Sequence, residues 1–292
     1  MELLVIGGSG LVGTNIFEYA SNSQENVYAT YQSTQKDHTD SHLDKTDAEQ
    51  TASLIEDRDP EVVIDTAAFH AVDDCETDRE RAWRVNAAGT RNAAVAADNV
   101  GAHYIYLSTD YVFSGDPEET PYTEDDPVSP LNYYARTKYA GEQAAQIADT
   151  ATVLRPSVIY GLASSNFVTW AIGELQDGNE LTIVDDQVST PTYAPDLAQA
   201  CLEVAERGIT GIYHATGPES LSRYEFTVEL AAVCGYDPDL VSPISTEELG
   251  QEASRPVDSS LDSSYLYNSI DTTFRKPAQA FEAICEQKLP SK

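Results

Sequence analysis

A chain of 292 residues with 49 acidic against 17 basic side chains carries a formal net charge of −32, which excludes nucleic acid as a partner, because phosphate binding needs clustered Lys and Arg. With 41% of its residues hydrophobic and arranged periodically, the chain is not a disordered acidic segment either. The acids are scattered along the chain and read as a solvated surface suited to molar salt, where the Debye length falls to about 3 Å, so a halophilic, cytoplasmic protein is expected.

The length allows one large domain, or one domain with a smaller lobe. Cys75, Cys201, Cys234 and Cys285 lie far apart without a Cys-x-x-Cys pair, which predicts reduced core thiols and no metal site. No basic-plus-apolar leader precedes the first strand, and no apolar run is long enough to span a bilayer.

In chain order, Glu2–Ile6 is an apolar run typical of a buried parallel strand. Gly7-Gly-Ser-Gly-Leu-Val-Gly13 follows, then a helix over 14–20. Strand, glycine loop and helix form the context of a dinucleotide site, with the helix amino terminus offering N–H groups to a pyrophosphate. Two registers fit, Gly8-x-Gly10-x-x-Gly13 and Gly7-x-x-Gly10-x-x-Gly13, with Leu11 and Val12 inside both.

Asn26–Tyr31 reads as the second strand. The position expected to carry a ribose-binding carboxylate offers Thr30, Tyr31, Gln32 and Ser33, so NADH and NADPH both stay open. Asp44 either passes the adenine or starts the helix at Thr46. Residues 61–65 form a third strand leading into Thr66, Ala67 and Ala68, small residues that leave room for a cofactor. Residues 76–99, which include Asn86, read as one helix.

His103–Leu107 is another strand, and Ser108 or Thr109 at its end could hydrogen-bond a substrate carbonyl. Residues 116–128 read as an acidic surface loop. In the helix after Pro130, Tyr134 and Lys138 are four residues apart and share a face. A phenol titrates near pH 10, and an adjacent ammonium would lower it, which makes the pair a plausible general acid for an alkoxide.

Beyond it, strands are expected at 152–155, Leu181–Val184 and 211–215, and helices from 165–167, over 196–207 and over 222–234, with a loop at 185–193. The segment 253–262 is non-periodic and carries Arg255. The alternation predicts an α/β fold: a doubly wound parallel Rossmann sheet with a smaller carboxyl-terminal lobe. Residues 1–155 would form the NAD(P)-binding domain. Residues 156–292 would form the substrate lobe, interleaved with late sheet elements at about 193–215.

The glycine loop, the Thr109 segment and Tyr134-x-x-x-Lys138 together resemble extended short-chain dehydrogenases/reductases. More narrowly, 67–73, Ser108-Thr-Asp-Tyr-Val-Phe113, 129–134, Asp186-Gln187 with Pro191-Thr192, and 254–259 are similar to dTDP-4-dehydrorhamnose reductases. The resemblance covers residues 1 to about 262. It implies hydride transfer from NADPH or NADH to C4 of a nucleotide-linked 4-keto-6-deoxysugar, a dTDP-4-keto-6-deoxyhexose.

By that resemblance Thr109 orients the carbonyl and Tyr134 protonates the alkoxide. Lys138 lowers the tyrosine's pKa and holds the nicotinamide ribose. Gly7, Gly10, Leu11, Val12, Gly13, Asp44, Ala67 and Ala68, with Tyr134 and Lys138, would hold the cofactor. Val72, Thr109, Asn166, Arg255 and Ser259 would hold the sugar nucleotide, the Arg255 fork matching a diphosphate. A homodimer is compatible with this reading.

Three positions depart from the family's pattern. Val158 stands where these reductases carry a Trp, Asp258 where they carry an Asn, and Asn15 where some bacterial members place a Mg²⁺-binding carboxylate. A 4,6-dehydratase would show a carboxylate where this chain has Tyr111. The remaining rivals are an epimerase and a regulatory subunit like the β subunit of methionine adenosyltransferase.

Overall fold

The structure, a computed structural model, describes residues 1–116, 118–163 and 165–288. Its first half runs β1 (Glu2–Ile6), α1 (Leu11–Asn22), β2 (Asn26–Tyr31), β3 (Ser41–His42), α2 (Ala48–Arg58), β4 (Val62–Asp65), α3 (Asp74–Thr77), α4 (Arg79–Trp83), α5 (Thr90–Val100) and β5 (His103–Leu107). The second half runs α6 (Tyr133–Ala145), β6 (Ala151–Arg155), β7 (Ile159–Tyr160), α7 (Phe167–Gln176), β8 (Leu181–Val184), β9 (Val188–Ser189), β10 (Thr192–Tyr193), α8 (Ala194–Arg207), β11 (Gly211–His214), β12 (Leu221–Ser222), α9 (Arg223–Val233), β13 (Val241–Ile244), α10 (Thr246–Leu249), α11 (Ser264–Tyr267) and α12 (Pro277–Lys288).

Seven strands form one sheet in the order β11-β6-β5-β4-β1-β2-β3, with each neighbouring pair parallel. The chain winds outward from β1 to β3, then returns past β1 to β4. Strand order therefore reverses between β1 and β4, where doubly wound folds open a crevice at the strands' carboxyl ends. Gly7 and Thr66 leave the sheet at that point.

The central strands read as continuous apolar runs because helices cover both faces. Leu3 and Val5 of β1 join a core with Ile16 of α1 and Leu197 and Cys201 of α8. Leu4 and Ile6 point the other way, into a core with Ile55, Ala93, Ala97, Tyr104 and Tyr106. A further core joins Ile172, Leu175, Leu181, Phe226, Leu230, Phe281 and Ile284 from α7, β8, α9 and α12.

Several expectations are corrected. The helix expected over 76–99 is broken: Asp78 leaves the helical region at φ −109°, ψ 61° and its side chain caps α4. A π-helical turn, Arg84–Gly89, then displaces the ladder before α5. The loop 116–128 is not wholly surface, since Tyr122 is buried and stacks on Phe113 with ring centroids 4.4 Å apart. Cys234 and Cys285 are not free thiols but a disulfide, brought to a Cα separation of 5.7 Å by the packing of α9 and α12. Cys75 and Cys201 are buried free thiols, and burial pushes both up, to about 11 and about 12. No helix among the described residues is long and apolar enough to cross a membrane.

Candidate active site

The glycine loop after β1 is shaped by three close approaches, the one at Gly8 placing a Cβ 2.7 Å from Ala29 Cβ. Gly7 sits at φ +85°, and a Cβ there would stand 2.9 Å from Thr66 Oγ1. At Gly13 a Cβ would lie 2.4 Å from the Gly7 carbonyl oxygen, so any side chain would force α1 away from the loop. Gly7, Gly8 and Gly13 are thus all fixed by sterics, so both registers begin and end on glycines that admit no side chain. Gly10 is exposed and is the N-cap of α1, and no side chain caps the helix. The first-turn N–H groups, at Leu11 and Val12 among others, are free of a capping side chain, and the end of the helix dipole there suits a pyrophosphate.

A cleft of about 470 Å³ continues from this loop and is lined by Gly7, Gln32, Asp44, Lys45, Ala67 and Ala68, among others. Asp44 lines the cleft, and its Oδ1 accepts the Thr46 N–H at 2.9 Å in a local turn; it does not start the helix, which begins at Ala48 with Asp47 as its cap. Lys45 is buried, with Nζ 2.7 Å from Asp65 Oδ2 and 2.6 Å from the Ala67 carbonyl oxygen. That pair anchors the Ala67-Ala68 wall to the end of β4. The residues present fit a dinucleotide.

On the other side of the crevice, α6 starts where the Asn132 side chain accepts the Ala135 N–H at 2.8 Å. The helix carries Tyr134, half-buried, and Lys138, buried, toward the end of β5. Thr109 follows β5, and its hydroxyl lies close enough to the Tyr134 phenol to act on it. It also donates to Asp110 Oδ1 at 3.0 Å and accepts the Tyr111 N–H at 3.2 Å. The Tyr111 ring meets Tyr134 edge-on, with centroids 6.3 Å apart.

Burial pushes the Tyr134 phenol above its usual range, and the Thr109 hydroxyl partly opposes this. The expected depression of this phenol by Lys138 is corrected: the net shift is upward, with burial its largest cause. The ammonium is turned to the sheet. Its Nζ donates to the Leu107 carbonyl oxygen at 2.5 Å and lies 4.3 Å from the centre of the Tyr106 ring. Tyr134 is therefore a neutral phenol at pH 7, a proton donor already loaded.

Burial, with the Lys45 charge nearby, pulls Lys138 down to about 7 from 10.5. Between those values the unfolded chain binds more protons at this position than the native protein, so this group's contribution to stability rises with pH across that interval. The stability difference between the unaltered protein and Lys138→Met, from denaturant melts, is expected to move in the protein's favour from about pH 7 to about pH 10. A pH-independent difference would contradict this placement of the ammonium.

The residues expected to hold the sugar nucleotide fall into three groups. Val72 is half-buried and stands beside Asp73, whose Oδ2 receives Arg255 Nη2 at 2.9 Å while Arg255 Nη1 donates to the Ala253 carbonyl oxygen at 2.8 Å. The Arg255 fork is thus tied to the turn carrying Val72. Asn166 caps α7, its Oδ1 accepting the Val168 N–H at 3.0 Å and its Nδ2 donating to the Gly161 carbonyl oxygen at 2.7 Å. Ser259 is corrected from ligand holder to support: it is buried and donates to Asp110 Oδ2 at 2.5 Å.

Of the departures, Val158 holds φ +41°, a left-handed conformation unusual for a β-branched residue. Thr192 clamps it, accepting the Ser157 N–H at 3.2 Å and donating to the Ser157 carbonyl oxygen at 2.7 Å. Asp258 faces away from Arg255, accepting from Thr120 Oγ1 at 3.0 Å and from the Ser260 N–H at 2.9 Å. Asn15 donates to the Leu11 carbonyl oxygen at 2.8 Å. Among the described residues no cluster of three or more His, Cys, Asp or Glu could hold a metal ion.

Two supporting residues were not anticipated. Asp110 is buried and gathers the hydroxyls of Thr109, Ser157 and Ser259, the last two at 2.7 and 2.5 Å. Burial raises its carboxyl, and those three donors oppose the rise. An acid directly after Thr109 was the available signal. Asn86, in the π-helical turn, accepts the Phe69 N–H at 2.8 Å and donates to Thr137 Oγ1 at 3.0 Å, joining the cofactor wall to α6. A π-helical turn at such a junction is a frequent mark of a functional site.

Comparisons with known proteins agree with this geometry. A family model described as RmlD substrate binding domain matches residues 1–289. The dTDP-4-dehydrorhamnose reductase of Mycobacterium tuberculosis (strain CDC 1551 / Oshkosh) is 35% identical over 269 residues, covering 90% of this chain and 85% of that protein. Methionine adenosyltransferase 2 subunit beta of Xenopus tropicalis is also 35% identical, over 274 residues, covering 90% of this chain and 80% of that one. The crystal structure of a dTDP-4-dehydrorhamnose reductase from Bacillus anthracis in complex with NADP superposes with a TM-score of 0.90 at 31% identity, covering 98% of this chain and 99% of that one.

Proposed function

The chain belongs to the RmlD substrate-binding domain family, and from that premise we propose that it is an NAD(P)H-dependent reductase. Its substrate is the C4 ketone of a nucleotide-linked 4-keto-6-deoxysugar, as for the dTDP-4-dehydrorhamnose reductases it resembles. The observation that carries the reading is the placement of Thr109, at the end of β5, within reach of the Tyr134 phenol on α6, across the crevice from the glycine loop. The NADP in the Bacillus anthracis structure makes NADPH the first cofactor to test.

When bound, a reduced nicotinamide supplies the hydride. Thr109 and Tyr134 hydrogen-bond the ketone oxygen and orient it. As charge develops on that oxygen, the Tyr134 phenol donates its proton, a role suited to a group held protonated at neutral pH. Thr109 is held in place by Asp110, which Ser157 and Ser259 brace. Lys138, buried beneath the site, ties α6 to the end of β5 through the Leu107 carbonyl oxygen. Residues 1–155, with 193–215, hold the dinucleotide, and the remaining carboxyl-terminal residues hold the sugar nucleotide.

Purified protein in high KCl is expected to oxidise NADPH or NADH when given dTDP-4-keto-6-deoxymannose. Cofactor binding without oxidation across a panel of nucleotide 4-ketosugars would reject the reductase reading. It would favour a subunit role of the kind that the Xenopus tropicalis relative's name describes. The protein works in a salt-rich cytoplasm, a reading supported by its net charge of −32. Its melting temperature should climb between low and multimolar KCl, and a flat or falling curve would remove that part of the proposal.

A further inference from the structure

Arg223 is the first residue of α9, and its backbone N–H donates to the Gln187 carbonyl oxygen at 3.1 Å. Its guanidinium carbon lies 5.0 Å from the centre of the Phe167 ring, next to the Asn166 cap of α7. Arg255, Tyr111 and Asp110 all lie close enough to act on it electrostatically. Tyr111 in turn abuts Tyr134 edge-on. Arg223 thus stands one aromatic ring from the proton donor, on the side of the sugar-nucleotide residues.

The electrostatics of this spot are unbalanced. The Arg255 guanidinium is near enough to disfavour the charge on Arg223. Arg255 has a carboxylate partner, Asp73 at 2.9 Å. Among the described residues Arg223 has no ion pair and no side-chain hydrogen bond. The neighbouring Asp110 does not serve it, since its oxygens take the three hydroxyls of Thr109, Ser157 and Ser259. In a chain with 49 acids and 17 bases, a guanidinium left without a carboxylate partner beside a second guanidinium is a position that an anion would complete.

We infer that Arg223 is an anion-binding residue of this site and that, with Arg255, it takes the diphosphate of the nucleotide sugar. The inference rests on the nucleotide-sugar reading above. The contact with the Phe167 ring holds the guanidinium at this spot, where its planar fork of N–H groups suits phosphate oxygens. Arg255, held by Asp73, supplies the opposite wall.

The test is calorimetric titration of the whole protein with dTDP and with UDP, at one KCl concentration, beside Arg223→Met and Arg223→Lys. Arg223→Met keeps an unbranched apolar stem against Phe167 and removes the charge. It should weaken nucleoside diphosphate binding about ten- to hundredfold, the range for a hydrogen bond to a charged group. The KM for NADPH should stay within about twofold, because the glycine loop is untouched. Arg223→Lys should recover part of the loss. Equal affinity in the unaltered protein and Arg223→Met would overturn the inference and leave the reductase reading intact. A loss in Arg223→Met that Arg223→Lys does not reduce would also overturn it, since charge would then not be the cause. No affinity of the unaltered protein for either diphosphate would overturn both readings.

Discussion

Replacing Tyr134 with Phe is expected to lower kcat by at least about two orders of magnitude, the usual contribution of a positioned general acid. The substitution is close to isosteric, so the ring keeps its edge contact with Tyr111 at 6.3 Å and the helix keeps its Asn132 cap. What is lost is one proton and one of two hydroxyls facing the ketone oxygen. Because burial and not Lys138 dominates the titration of Tyr134, the phenol is held in its donor form. The loss should therefore appear in kcat at neutral pH, with the KM for NADPH little changed. Steady-state rates with a 4-ketosugar nucleotide measure it, and turnover by Tyr134→Phe within a few-fold of the unaltered protein would reject Tyr134 as the acid.

The largest stability loss is expected from Glu142→Ala. Glu142 lies on α6, one turn beyond Lys138, and meets Arg155 at the end of β6. The pair is bidentate, with Nε to Oε1 at 2.9 Å and Nη2 to Oε2 at 2.8 Å, and both side chains are essentially buried. Deleting the carboxylate strands a guanidinium in the interior, where Arg155 Nη1 already has no partner.

Breaking such a pair costs about 3–5 kcal/mol, whereas an exposed pair is worth roughly 0–1 kcal/mol. At about 2–4 °C per kcal/mol, the melting temperature should fall by roughly 10 °C. The double variant Glu142→Ala/Arg155→Met should lose less than the single one, since no charge is left buried. A single-variant loss below about 1 kcal/mol would show that the pair is solvated and does not pin the catalytic helix to the sheet.

Much of this was legible in the sequence, for identifiable reasons. β1, β2, β5 and β8 are runs whose apolar or β-branched residues set their limits, and they lie where periodicity places them. Tyr134 and Lys138 announce themselves by a local spacing on one helix. The two-residue strands β7, β9, β10 and β12 carry no period and exist only because their partners fold against them.

The supports of the site were the least legible part. Asp110 is an ordinary acid until Ser157 and Ser259, 47 and 149 positions distant, are folded onto it. Ser259 shows the converse: the resemblance drew it toward the ligand, and the fold turns its hydroxyl inward. The Cys234–Cys285 link spans 51 positions and depends on α9 meeting α12, which no local pattern reveals. Lys138 was placed correctly on α6, but the direction in which the Tyr134 phenol shifts was not, because a helical period does not say how far burial outweighs a nearby charge.

The central claim is that this site delivers a hydride from a nicotinamide to the ketone carbon of a nucleotide sugar. Its most direct test is one turnover with NADPH deuterated at the transferable position of the nicotinamide, followed by nuclear magnetic resonance of the sugar product. The account predicts deuterium on the carbon that was the ketone and nowhere else in the sugar. Product lacking deuterium there, or a sugar altered at a neighbouring carbon while the cofactor keeps its label, would contradict it.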